Sequence, residues 1–189
     1  MKNKEIKKRV YYALDVTLAS PLNVSSGQDL FSDSDVMRNG DSELFVPGTS
    51  LAGAFRNALK LAGDRPGIMG YACEQEGRMS GMFLSDLYFE ETGGETEVSI
   101  RDGVKLADDK NVENKFDMEI IETGAKGTIF LNFIVREEGK KRSQAGENTD
   151  AEYEAGQEES VFERAVSEII LRLQSGVIRI GSNKTRGFG

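Results

Sequence analysis

From Lys8 to Ala19 the chain alternates, with Tyr12, Leu14, Val16 and Leu18 falling on one face. A period of two in a stretch rich in Val, Tyr and Leu predicts a β-strand, and a central one. Ser20-Pro21 ends it, and the polar, glycine-containing stretch from Asn23 to Ser42 predicts a loop longer than a simple connection. At Pro47 the period changes. Leu51, Ala54, Phe55, Ala58, Leu59 and Ala62 recur at helical spacing while Arg56, Asn57 and Lys60 take the polar face. Thr49 or Ser50 is the expected N-cap, and the helix is expected to stop near Gly63. Met82, Leu84, Leu87 and Phe89 predict a second strand, and 128–135 a third. Between them, Val98 to Ile121 mixes short apolar runs with turn residues, as an inserted hairpin does.

Residues 136–159 are charged and poor in hydrophobes, which predicts a mobile surface loop over about 137–160. Ser160 with Glu163 then forms a capping box, followed by Val161, Phe162, Ala165, Val166, Ile169, Ile170 and Leu173 at helical spacing. Gly176 lies past the helix, Val177 to Ile180 predicts a short strand, and the chain finishes in a glycine-rich run from Gly181 to Gly189. This order predicts an α+β fold: a ferredoxin-like or RNA-recognition-motif-like antiparallel sheet with two helices and one hairpin insertion. At 189 residues, one domain spanning 1–189 is the expectation.

Composition narrows the chemistry. The chain has no histidine and one cysteine, Cys73, which excludes an internal disulfide, a Cys/His zinc site and every mechanism that needs an imidazole base. No apolar run approaches the length that spans a bilayer, so the expected setting is cytoplasmic, with no membrane partner. The net charge of −8 argues against nucleic acid as an average, yet many acids are gathered in Glu90–Glu97 and Glu147–Glu163. Arg38, Arg56, Arg172, Arg179, Lys184 and Arg186 lie in or beside glycine-rich or capping segments. A locally basic groove on an acidic protein is compatible with both facts.

Three clusters carry candidate chemistry. Gly181, Gly187 and Gly189 enclose Lys184 and Arg186, so backbone can approach a phosphate while two cations neutralise it; a plain C-terminal turn fits equally well. Pro47 to Arg56 places small residues at a helix N-terminus, where amides attract anions, although an ordinary capped helix has the same look. Asp33 and Asp35, with Asp29 and Asp41 nearby, are placed to position a divalent ion or a hydroxyl, or simply to be solvated. Lys140-Lys141-Arg142 is diluted by neighbouring acids and reads as linker.

Four separated stretches together resemble the RAMP superfamily, specifically the repeated backbone subunits of type III CRISPR complexes. They are Ala19-Ser-Pro-Leu-Asn-Val-Ser-Ser-Gly27, Phe45-Val-Pro-Gly-Thr-Ser-Leu-Ala-Gly-Ala-Phe-Arg56, Ile100-Arg-Asp-Gly-Val-Lys-Leu106 through Lys115-Phe-Asp-Met-Glu119, and Ile180-Gly-Ser-Asn-Lys-Thr-Arg-Gly-Phe-Gly189. The resemblance implies a guide-RNA-binding subunit that stacks with copies of itself and other subunits of the complex, and meets target RNA. It also implies that the hairpin at about 99–120 is a thumb displacing a nucleotide of the duplex, beside which target RNA is cut with the help of a divalent metal ion, most readily Mg2+. Asp33-Ser-Asp-Val-Met-Arg38 resembles the family's Asp-x-x-Val-x-Arg run, which makes Asp33 the catalytic and metal-binding candidate, with Asp35 as fallback. The RNA-binding residues it implies are Arg38, Thr49, Ser50, Gly53, Arg56, Gly181, Ser182, Asn183, Lys184, Thr185, Arg186 and Gly187.

The sequence departs from the family pattern at Ser25, at Ser182-Asn183 and in ending at Gly189, and the last of these gives the expectation of a C-terminally incomplete domain. Two alternatives stand beside the endonuclease reading. A non-catalytic capping or assembly subunit suits the acidic balance, and a guide-precursor processing ribonuclease is weakened by the missing histidine.

Overall fold

The computed structural model describes residues 6–27, 32–61, 68–72, 77–90, 98–106, 110–136, 155–182 and 189. Cys73, Asp29, Ala62, Gly63, the run Lys140-Lys141-Arg142 and Asn183 to Gly187 lie outside them. In chain order the elements are β1 (Ile6–Thr17), β2 (Ser25–Gly27), β3 (Asp35–Val36), β4 (Phe45–Val46), α1 (Gly48–Leu61), β5 (Tyr71–Ala72) and β6 (Gly77–Arg78). There follow β7 (Met82–Leu84), β8 (Leu87–Phe89), β9 (Val98–Leu106), β10 (Val112–Ile121), β11 (Lys126–Arg136) and α2 (Ala155–Gln174). The main sheet runs β1-β11-β8-β4, with β7 also paired to β11. β11 meets β8 and β8 meets β4 antiparallel. The result is the expected α+β, ferredoxin-like arrangement of an antiparallel sheet with two helices and an inserted hairpin.

Two compact units divide the chain: Met1–Tyr12, Phe55–Phe83 and Leu131–Val177 form one, and Ala13–Ala54, Leu84–Phe130 and Ile178–Gly189 the other. In the first, strict alternation on β11 buries Leu131, Phe133 and Val135, while α2 buries Phe162, Ala165, Val166 and Ile169 at a spacing of three and four. The Phe133 ring is their meeting point. It lies 4.5 Å from the ring of Phe162 and receives Tyr12 edge-on at 5.7 Å. α2 starts at Ala155, earlier than the capping box suggests, and ends in a Schellman turn. There Gly176 takes φ +70, its amide donates to the Leu173 carbonyl, and the Val177 amide donates to that of Arg172.

In the second unit the core is Leu22, Val24, Val36, Val46, Leu51, Leu87, Met118, Ile120, Ile121, Ile129 and Ile178. β9 and β10 pair antiparallel from Val98↔Ile121 to Leu106↔Val112. Burial along β10 rises from exposed residues at Val112 to buried ones at Ile121, so the hairpin is anchored by its apolar base. The loop anticipated between Asn23 and Ser42 contains the short pair β2–β3.

Four expectations are corrected. β1 stands at one end of the sheet order among the described residues, not in its middle. Alternation reports a half-covered face and not the number of neighbours: Tyr12, Leu14 and Val16 are half-buried while Tyr11 to Thr17 expose every other residue. The strand through Met82 to Phe89 is broken into β7 and β8. Ser85 turns out of it to exchange hydrogen bonds with Phe130, and Asp86 accepts from the Gly48 amide at 2.7 Å. That carboxylate, rather than Thr49 or Ser50, serves the start of α1, where a Cβ on Gly48 would stand 2.9 Å from the Leu84 and Ser85 carbonyl oxygens. Val177 to Ile180 is not a strand: Ile178 drops into the core and Val177 stays exposed.

Phe133→Ala is expected to lower unfolding free energy by about 3–5 kcal/mol, because Tyr12 and Phe162 lose their common neighbour. Phe130→Ala, earlier in the same strand and on its exposed face, is expected to cost less than about 1 kcal/mol. Urea unfolding of the two variants checks the contrast.

Candidate functional site

Asn23 is fully buried, and its side chain serves three segments of the second unit. Its Nδ2 donates to the Glu119 carbonyl at 2.7 Å and to the Ser34 carbonyl at 3.3 Å. Its Oδ1 accepts from the hydroxyls of Ser34 and Ser182, while its backbone carbonyl accepts from the Ser182 amide at 2.9 Å. Leu22 and Ile121 exchange both backbone bonds beside it. The loop after β1, the base of the hairpin and the start of the glycine-rich segment therefore meet at one amide group.

From this hub the loop is laced along β10. Glu119, 6% exposed, accepts from the Val36 amide at 3.0 Å and from both terminal nitrogens of Arg38, one of them at 2.7 Å. The hydrogen bond it donates to Glu119 holds the Arg38 guanidinium above its ordinary pKa, against the opposing effect of partial burial. Two residues nearer the hairpin tip, the Asp33 amide donates to Asp117 Oδ1 and the Asp117 amide donates to Asp33 Oδ2, each at 3.2 Å. Arg38, Ser42, Val98, Ser99, Ile100 and Glu119 line an open cleft of about 490 Å³ beside this seam.

The two candidate aspartates separate clearly. Asp35 is 3% exposed and accepts from the Ser32 hydroxyl at 2.5 Å, whereas Asp33 faces solvent. Asp41 sits exposed on a tight turn organised by Asn39 Oδ1, which accepts from the amides of Asp41 and Glu43. Among the described residues no three Asp, Glu, Cys or His side chains are grouped to hold a metal ion.

Of the other candidates, Gly181 and Ser182 join the Asn23 hub directly. Gly181 has φ +89, and a Cβ there would lie 2.4 Å from the Asn23 carbonyl oxygen, so glycine is required by both conformation and space. Gly189 is tied back to the same segment: its amide donates to the Pro21 carbonyl and its carbonyl accepts from Ser20 Oγ. Thr49, Ser50 and Gly53 are exposed on the first turns of α1, with open space around Gly53. Arg56 belongs to the other compact unit, where it donates to the Met69 carbonyl at 2.7 Å.

Sequence reasoning missed Asn23, Glu119 and Asp117. Asn23 carried a faint signal, a polar residue between Leu22 and Val24 directly after a strand-ending proline. Glu119 and Asp117 stand among the mixed residues of the predicted hairpin, and nothing local distinguishes a carboxylate that a distant loop will cover.

Asn23→Ala removes the side-chain donor to the Glu119 carbonyl inside the core and is expected to cost about 1–3 kcal/mol in urea unfolding. Gly181→Ala is expected to destabilise by at least about 1–2 kcal/mol, with Gly53→Ala as the harmless comparison. At the hairpin base the Ser99 hydroxyl and then Arg101 hold the Glu122 carboxyl below its ordinary range. A depressed folded-state pKa adds stability above the unfolded value, and this is lost as pH falls through the folded one. Ser99→Ala is therefore expected to raise the Glu122 midpoint, and more than Arg101→Ala does, in a carboxyl NMR titration.

Three comparisons bear on this arrangement. No curated protein matches the chain. A chain in the cryo-EM structure of the Type III-B Cmr-beta bound to cognate target RNA superposes with a TM-score of 0.67 at 11% identity, covering 96% of this chain and 57% of that one. The present chain thus spans little more than half of that relative, and at such identity the likeness is one of fold. The RAMP superfamily model matches residues 15–189, which takes in the Asn23 hub, the hairpin and the glycine-rich segment together. The chain belongs to the RAMP superfamily.

Proposed function

We propose that this chain is a guide-RNA-binding backbone subunit of a type III CRISPR effector complex, and that it cuts target RNA at Asp33. One observation carries the reading. In a RAMP chain whose fold follows a subunit of a target-RNA-bound type III-B structure, the loop aspartate is solvent-facing and held against the inserted hairpin, while its neighbour Asp35 is buried. Partners on this reading are guide RNA, target RNA, the other subunits and further copies of the chain.

Arg38 is bound to Glu119, so attraction for the RNA backbone comes chiefly from Lys184 and Arg186 in the glycine-rich segment, supported by the exposed start of α1 at Thr49, Ser50 and Gly53. A nucleotide splayed at the hairpin brings its 2′-hydroxyl into line with its own phosphate, and orientation supplies much of the acceleration. Asp33 then accepts the hydroxyl proton or fixes its position. Asp33 is also the carboxylate that would hold a divalent ion, most readily magnesium, which favours carboxylate oxygen. When bound, the ion supplies charge stabilisation at the phosphate.

The net charge of −8 favours a second reading, a capping subunit that touches mostly protein and does not cut. Asp33→Ala separates the two: the leading reading expects normal assembly and guide binding with cutting abolished, and an unchanged cutting rate sinks it. Lys184→Ala/Arg186→Ala is expected to weaken binding of guide and unrelated RNA alike, and to flatten the salt dependence by about two phosphate contacts. Equal binding before and after that double substitution would remove the glycine-rich segment from the interface.

A further inference from the structure

The loop carrying Asp33 is fastened to β10, residue by alternate residue. The Ile121 amide donates to the Leu22 carbonyl at 2.8 Å, the Glu119 amide to the Ser34 carbonyl at 3.0 Å, and the Asp117 amide to Asp33 Oδ2 at 3.2 Å. The first two links are buried at Ile121 and Glu119; the third lies where β10 emerges, with Asp117 half-buried and Asp33 exposed. This is also the one link of the three in which the loop side contributes its side chain rather than its backbone. Asp117 returns the bond, its Oδ1 accepting from the Asp33 amide at 3.2 Å. Both the backbone and the carboxylate of Asp33 are thus referred to a single residue of the hairpin.

Across the hairpin Asp117 is paired with Asp102, so the two acidic side chains share a face. Like charges directly opposite repel, which disfavours an Asp117 rotamer turned toward β9 and favours the one turned to the Asp33 amide.

We infer that Asp117 is a positioning residue: by accepting from the Asp33 amide while its own amide holds the Asp33 carboxylate, it makes that carboxylate follow the hairpin rather than its own loop. The inference rests on the proposed reaction at Asp33. A nucleotide that seats on the hairpin then meets Asp33 at a set distance, and loosening the clasp costs rate more than binding, because a displacement on the order of 1 Å can cost about a hundredfold.

The test uses the complex assembled with guide and target RNA. Asp117→Ala removes the accepting oxygen, whereas Asp117→Asn keeps an oxygen that can accept from the Asp33 amide and loses the charge. The expected result is that Asp117→Ala lowers kcat for target cutting by about 10- to 100-fold with KM and guide binding unchanged. Asp117→Asn is expected to restore most of the rate. Hydrogen exchange at the Asp33 amide should quicken in the alanine variant and stay slow in the asparagine one. Full cutting by Asp117→Ala overturns the inference, as does an asparagine variant that is as slow as alanine while the Asp33 amide stays protected, since Asp117 would then act through its charge. Asp33→Ala run in parallel tells the two failures apart: persistent cutting there defeats the proposed reaction itself, whereas cutting lost in Asp33→Ala but intact in Asp117→Ala defeats the positioning role alone.

Discussion

An amide side chain with no access to water has to find every partner inside the protein, and Asn23 finds its partners on three different segments. Each of those bonds is worth little by itself against water, but breaking one inside the core leaves a polar group with no replacement. The segment after β1, the hairpin base and the turn at Gly181–Ser182 are therefore bound to form together. A hydrophobic residue at position 23 would bury as much surface and specify none of this, because apolar contact has no preferred direction.

The electrostatics follow from the same scaffold. Arg38, which sequence reading places among the RNA-contacting cations, is held by Glu119 with two hydrogen bonds and carries its own counter-ion. On the hairpin, Arg101 faces Glu122 and Lys105 faces Glu113. These last pairs are exposed enough to be weak, and a polyanion can compete for their cations. The Arg38 pair is more sheltered, so its contribution is geometric: it fixes the strand bearing Asp35 and Val36 against β10. An acidic chain of this kind presents positive charge only where it is not already paired.

What could be read from the chain was what depends on short-range period. The helix at Leu51 to Leu59, the helix at Phe162 to Ile169, the strand at 128–135 and the hairpin all announce themselves within a dozen residues, because burial of one face leaves its spacing in the sequence. Asp33 was legible through its resemblance to a family run, and only the fold shows that Asp33 is exposed and Asp35 buried. The break between β7 and β8 was hidden, since Ser85-Asp86 interrupts an apolar pattern no more than a surface step would. Its cause is Gly48, 38 residues away in the chain, whose amide needs an acceptor. Asn23, Asp117 and Glu119 escaped for the same reason: each acts on residues far from it in sequence, and periodicity carries no memory of distant partners.

Halfway along the hairpin, Gly103 lies opposite Phe116, and a Cβ on that glycine would come within 2.4 Å of the aromatic ring. The ring occupies the volume a side chain would need, and the neighbours two positions away on the same face of β9, Arg101 and Lys105, both carry one. A slip of two residues would preserve the alternation of faces yet drive a side chain into the ring, so the pair works as a detent that holds one register. Its position divides the hairpin by tolerance to change in length. Toward the base, adding or removing one residue reverses which side chains face Asp33; beyond Gly103 and Phe116, toward the irregularity at Val112–Asn114, strands can grow or shrink without disturbing that parity. The reach of the hairpin is thereby adjustable in evolution independently of the seam at its root.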